Sequence, residues 1–98
     1  AMLRVYIAGK VTGEPPLECN QKFGKAELLL TKMGMQPINP LSFIPSDTEW
    51  HQAMKLCIRS LITCDFIYLL PDWEKSEGAK LEVTLAEKLG IEIINIIS

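Results

Sequence analysis

The sequence predicts a small α/β domain: a four-stranded parallel sheet of the doubly wound, flavodoxin- or Rossmann-like kind, in strand order 2-1-3-4, with helices on both faces. Three observations predict it. Short apolar runs alternate with segments of helical periodicity in the order β-α-β-α-β-α-β, and such alternation implies parallel strands joined by crossover helices. The run Phe66–Leu70 is almost uniformly apolar, as a strand covered on both faces must be. The intervening segments step their apolar residues by threes and fours, which is the period of a helix that packs by one face.

Each element has its own local reason. Leu3–Ala8 is short, apolar and β-branched and is halted by Gly9, which reads as a buried first strand. Two glycines and two prolines between Gly9 and Pro16 make a turn region. From about Leu17 to Met33, Phe23, Ala26, Leu30 and Met33 line one helical face, and Gly34 supplies a left-handed stop. Gln36–Asn39 is a brief second strand closed by Pro40. Ser46 and Glu49 fit the reciprocal capping-box spacing, which predicts that the second helix opens there. Trp50, Ala53, Met54, Cys57, Ile58, Leu61 and Ile62 give that helix a broad apolar stripe. Gly78–Leu89 is the third helix, ended by Gly90, and Ile91–Ile97 is the last strand.

Bulk properties narrow the function. The chain of 98 residues is expected to form one domain over residues 2–98, with Ala1 before Met2 set aside as extraneous. A net charge of -2 gives no general electrostatic case for a nucleic acid polymer or an anionic membrane. No stretch approaches the roughly 20 apolar residues of a membrane span, and no secretory signal layout is present, so a cytoplasmic protein is expected. Cys19, Cys57 and Cys64 have no metal-ligand spacing and sit in apolar company, as reduced core thiols would. With no His, Cys and carboxylate cluster, neither a metal nor another cofactor is expected.

The chemistry concentrates in Cys64–Glu82, CDFIYLLPDWEKSEGAKLE. Read as strand, loop and helix, this segment puts Ser76, Gly78 and Glu82 at the carboxyl end of a buried strand, the edge where open α/β sheets bind ligands. The helix start adds free backbone N–H groups and a positive dipole end, suited to a phosphate or a sugar hydroxyl. Glu82 is then either a base, nucleophile or ligand clamp, or a carboxylate that only offsets the helix dipole. Ser76 is a helix N-cap, a border of the anion site, or both. Gly78 either begins the helix or lets a ligand approach the backbone. Strand order 2-1-3-4 sets the loops after the first and third strands side by side, so Tyr6 and Gly9 should face the loop holding Asp72 and Ser76.

With YIAG at Tyr6–Gly9, INP at Ile38–Pro40 and W-x-x-S-x-G-A-x-x-E at Trp73–Glu82, the chain resembles the nucleoside 2-deoxyribosyltransferase superfamily, and within it the small bacterial and phage deoxyribosyltransferase-like domains. The resemblance runs over nearly the whole chain. It implies that Glu82 is a nucleophile that attacks the anomeric carbon of a 2-deoxyribosyl group and displaces the base, with a second base or water resolving the glycosyl-enzyme. It implies that Tyr6 orients the carboxylate and that Ser76 and Gly78 hold the 5′ end of the sugar or a 5′-phosphate. It places Cys57 where characterised members carry an aspartate that contacts the sugar hydroxyls. It places Ser76 where nucleoside-transferring members carry an aspartate that protonates the leaving base, and the serine points to the nucleotide-hydrolase branch. Asp72 is the nearest replacement acid, or else a loop-turn residue. Members generally complete their sites with a neighbouring subunit, so a homodimer or larger assembly is expected, with contact through the helix of Trp50 or that of Glu82.

The remaining candidates each carry two readings. Trp73 is a stacking plate for a base, or else a core cap or subunit contact. Trp50 is read as core or interface, and His51 as a solvated surface residue. Lys10 either meets a phosphate or is a surface lysine. Asn39 reaches the pocket or caps the turn before Pro40. Lys75, Glu77 and Lys80 are read as a solvated helix face. Two functions are carried forward: an enzyme acting on the N-glycosidic bond of a deoxynucleoside or its 5′-monophosphate, and a non-catalytic nucleotide or nucleotide-sugar sensor on the same pocket. A purely structural assembly protein, without a pocket ligand, is the third.

Overall fold

The computed structural model describes residues 2–95. Four strands, β1 (Arg4–Ala8), β2 (Gln36–Ile38), β3 (Phe66–Leu69) and β4 (Glu92–Ile94), form one sheet in the order β2-β1-β3-β4. Every pairing is parallel, with Tyr6 level with Ile38 on one side and Ile67 on the other, and Ile67 level with Ile93. Pro37 sits in β2, an edge strand, where a missing N–H costs least. The last strand is shorter than expected, and Ile96 and Ile97 lie outside the described residues.

Helix α1 (Pro16–Lys32) starts with a proline in its first turn, where the absent N–H would have had no helical partner. Its buried stripe is Cys19, Phe23, Ala26 and Leu30. Met33 does not extend it. That residue is the C-cap and is 48% exposed, because the chain turns away at Gly34 (φ 83°), so Cys19 takes the fourth place at the other end. Helix α2 (Trp50–Leu61) departs from the capping-box expectation. Glu49 is itself the N-cap, with extended backbone, and its carboxylate accepts from His51 N–H at 2.8 Å, which leaves Ser46 outside the helix. The apolar stripe is also narrower than expected, since Met54, Cys57 and Leu61 are buried while Trp50 and Ile62 face outward. Helix α3 (Glu77–Leu89) opens on Ser76, whose hydroxyl accepts from Ala79 N–H at 3.0 Å, and closes on left-handed Gly90.

Side chains alternate along each strand, so the sheet builds two cores. Val5, Ile7, Tyr68 and Leu70 meet α1 through Cys19, Phe23, Ala26 and Leu30. Tyr6, Ala8, Ile67 and Leu69 meet α2 and α3 through Cys57, Leu61, Ala79, Val83 and Ala86. Among the described residues no helix is long and apolar enough to cross a membrane.

Candidate functional site

Among the described residues one charged residue is buried, and it lies on the α2–α3 side. Glu82 is 4% exposed on α3, and Tyr6 of β1 is 1% exposed beneath it. The Tyr6 hydroxyl donates to Glu82 Oε2 at 2.6 Å, a short bond of the kind that a carboxylate accepts. Burial pushes the Glu82 carboxyl up to about 7, although the Tyr6 hydroxyl and the Cys57 thiol pull it back. Tyr6 rises well above its ordinary value through burial first and the neighbouring carboxylate second. Cys57 of α2 borders both groups, and burial raises its thiol to about 11, so it stays protonated at neutral pH and can donate.

About one turn of α3 before Glu82, at Gly78, a depression of about 400 Å³ opens at the carboxyl edge of the sheet. Lys10 and Thr12 of the loop after β1 form one wall, Trp50 of α2 another, and Lys75–Gly78 the third. The wall from α3 carries the free N–H groups of a helix start, and two lysines, Lys10 and Lys75, outnumber the one carboxylate in the lining, Glu77. An aromatic plate, two ammonium groups, two hydroxyls and a helix amino terminus suit an anionic ligand with a flat, unsaturated part.

The model of the family described as Domain of unknown function (DUF4406) matches residues 3–95. This chain belongs to the DUF4406 family. Among solved structures, the DUF4406 chain is similar to a 2-desoxiribosyltransferase from Leishmania mexicana, with TM-score 0.73 and 20% identity. The match covers 96% of this chain and 63% of that one, so the DUF4406 chain spans less than two thirds of the relative's length. At that identity the likeness is one of fold: the parallel α/β architecture of a deoxyribosyltransferase. No curated protein matches the chain.

The fold of this DUF4406 chain gathers Tyr6, Glu82, Ser76 and Gly78 at one edge and assigns several other candidates elsewhere. Asn39 does not reach the depression. Its side-chain oxygen accepts from Leu41 N–H and its amide donates to Glu27, both at 3.0 Å, so one end caps the turn and the other ties it to α1. Trp73 does not overhang the cleft either; it packs half-buried against the α2–α3 core. Gly9 and Gly78 are small for reasons of packing. A Cβ on Gly9 would lie 2.5 Å from Leu70 Cδ1, and one on Gly78 would lie 2.9 Å from Met54 Sδ. Gly78 nevertheless lines the depression by its backbone.

Asp72 is a poor acid. Partial burial would raise its carboxyl, but the Lys22 ammonium and the Lys10 N–H outweigh that and hold it below its ordinary range. It is therefore ionised at neutral pH and without a proton to give.

Three residues escaped the sequence reading, the first being Thr12, which lines the depression from the loop after β1. Trp50 supplies the aromatic wall expected of Trp73. In a β-α unit of a parallel sheet the helix begins at the carboxyl edge, so the first residue of α2 necessarily stands near the first of α3. Lys22, which holds Asp72, gave no local signal: 50 residues separate the two.

Proposed function

We propose that this protein cleaves or transfers the N-glycosidic bond of a 2-deoxynucleoside or its 5′-monophosphate, with Glu82 as nucleophile. The observation that carries this reading is the buried 2.6 Å bond from Tyr6 to Glu82, about one turn of α3 beyond Gly78, which lines a depression walled by two lysines and Trp50. Tyr6 holds Oε2 and leaves Oε1 to attack. In the first step the Glu82 oxygen bonds to the anomeric carbon while the carbon–nitrogen bond breaks, and its electron pair leaves with the base, which takes a proton from solvent. In the second step water or another base bonds to that carbon and releases the carboxylate. Ser76 and the start of α3 hold the 5′ end, and Trp50 flanks the base. Attack requires the ionised carboxylate, so the rate rises with pH through about 7, the value to which Glu82 is raised. The test is release of free base from a panel of deoxynucleosides and their 5′-monophosphates. Release that is lost in Glu82→Ala supports the reading; no release from wild type, or equal release from the variant, ends it.

A second reading is favoured by one observation: Glu82 is only 4% exposed and is not among the residues that line the depression. A nucleotide sensor needs no access to that carboxylate. Thermal shift separates the two, since a ligand that raises Tm and is never consumed identifies a sensor. In either reading a second copy deepens the open depression by covering exposed Trp50, Ile62 and Leu81. A strict monomer by sedimentation at working concentration removes that part.

A further inference from the structure

Lys22 belongs to α1, on the sheet face opposite Glu82, yet its ammonium reaches the edge where the two pocket loops meet. Nζ donates to the Lys10 carbonyl at 2.9 Å, to Asp72 Oδ2 at 2.5 Å and to Glu14 Oε1 at 3.3 Å. Asp72 Oδ1 in turn accepts from the Lys10 N–H at 3.1 Å. These bonds close a ring that runs from the Lys10 N–H through the Asp72 carboxylate and the Lys22 ammonium to the Lys10 carbonyl. The two torsions of Lys10 lie between its own N–H and its own carbonyl, so the ring holds both.

Lys10 is the residue whose side chain walls the depression, and Asp72 leads through the short Trp73–Lys75 turn into Lys75–Gly78, which forms the opposite wall. We propose that Lys22 is a positioning residue for the ligand depression: from outside it, one ammonium sets the separation and orientation of the two loops between which it opens. This rests on reading the depression as the ligand site. The competing explanation is an ordinary surface ion pair, since Lys22 and Asp72 are 21% and 22% exposed and such pairs contribute little. What distinguishes Lys22 is the closure of the ring on a backbone residue, together with its charge balance. Lys10 and Lys22 face Glu14 and Asp72, so loss of Lys22 leaves two carboxylates against one ammonium beside an electropositive pocket.

The test is amide hydrogen exchange on the whole chain, comparing wild type with Lys22→Met, Lys22→Arg and Asp72→Asn. The reporting amides are Lys10 and Glu14 in one loop and Lys75 and Ser76 in the other, all hydrogen-bonded in the native state. Lys22→Met and Asp72→Asn speed exchange in both loops by about tenfold while the interior amides of β1 and β3 keep their protection. Lys22→Arg restores most of the protection. Unchanged loops in Lys22→Met, or exchange that rises uniformly through the chain, overturns the proposal. If Lys22→Met does not fold, the Asp72→Asn pattern decides by itself. Titration with a 2-deoxynucleoside 5′-monophosphate is the second arm: Lys22→Met weakens binding by about tenfold and Lys22→Arg retains it, as for a lost charge-assisted contact. Equal binding by Lys22→Met overturns the positioning role. A wild type that binds no such probe defeats the functional reading, and the exchange pattern then decides the role of Lys22 separately.

Discussion

Against α1, the sheet presents Val5, Ile7, Tyr68 and Leu70 to Phe23, Ala26 and Leu30; against α2 and α3, the alternate residues of the same strands meet Cys57, Leu61 and Val83, with Glu82 buried among them. Both faces are dry. They differ in that one buries an ionisable pair, Tyr6 and Glu82, at a depth where an unpaired carboxylate would be strongly disfavoured. The α1 face therefore contributes stability, while the α2–α3 face gives some up to hold a carboxyl with its pKa near neutrality. A difference of one residue in strand register separates the two environments, because successive side chains point to opposite faces.

The largest expected effect lies on the apolar face. Phe23→Ala removes a fully buried ring from the α1 core and costs about 3–5 kcal/mol, read by denaturant unfolding, with the same loss at pH 5 and pH 8. A loss that varies with pH would break the contrast between the faces.

On the other face the sign depends on pH. Glu82 is raised from 4.5 to about 7 in the folded state, so the fold binds its proton more tightly than the unfolded chain does. Its contribution to stability is full below about pH 4.5 and is lost as pH rises through about 7. Glu82→Gln, which cannot ionise, should therefore unfold at higher denaturant than wild type at pH 8. The gap between the two grows by roughly 3 kcal/mol from pH 4.5 to pH 8. A gap independent of pH would mean that the carboxylate is not held at a cost.

The smallest effect concerns the rim. Ser76→Ala removes the cap that accepts from Ala79 N–H and costs about 1 kcal/mol, whereas Ser76→Gly costs a few tenths. Equal losses in the two variants would show that the hydroxyl does more than cap.

Much of the site was legible because it is local. Ser76, Gly78 and Glu82 lie within one loop–helix segment, so their common edge followed from reading Phe66–Leu70 as a strand and the residues after it as a helix. What misled was also local. Glu49 stands three residues after Ser46, at capping-box spacing, but its backbone is still extended, so it caps the helix itself. Trp73 lies in the right loop, yet a short 3₁₀ turn over Trp73–Lys75 directs its ring to the core. Asp72 had the chemistry of an acid until Lys22 arrived from a distant helix.

The sequence alone determined the element order, the parallel sheet and its strand order, because apolar periodicity and the handedness of β-α-β crossovers leave few alternatives. Only the tertiary structure decided which side chains meet across it. The bond from Tyr6 to Glu82 spans 76 residues, and the ring around Lys10 joins three separate elements. The tertiary structure also put Trp50, and not Trp73, at the depression. Such contacts depend on ångström-level placement of packed helices, and no periodicity along the chain encodes that.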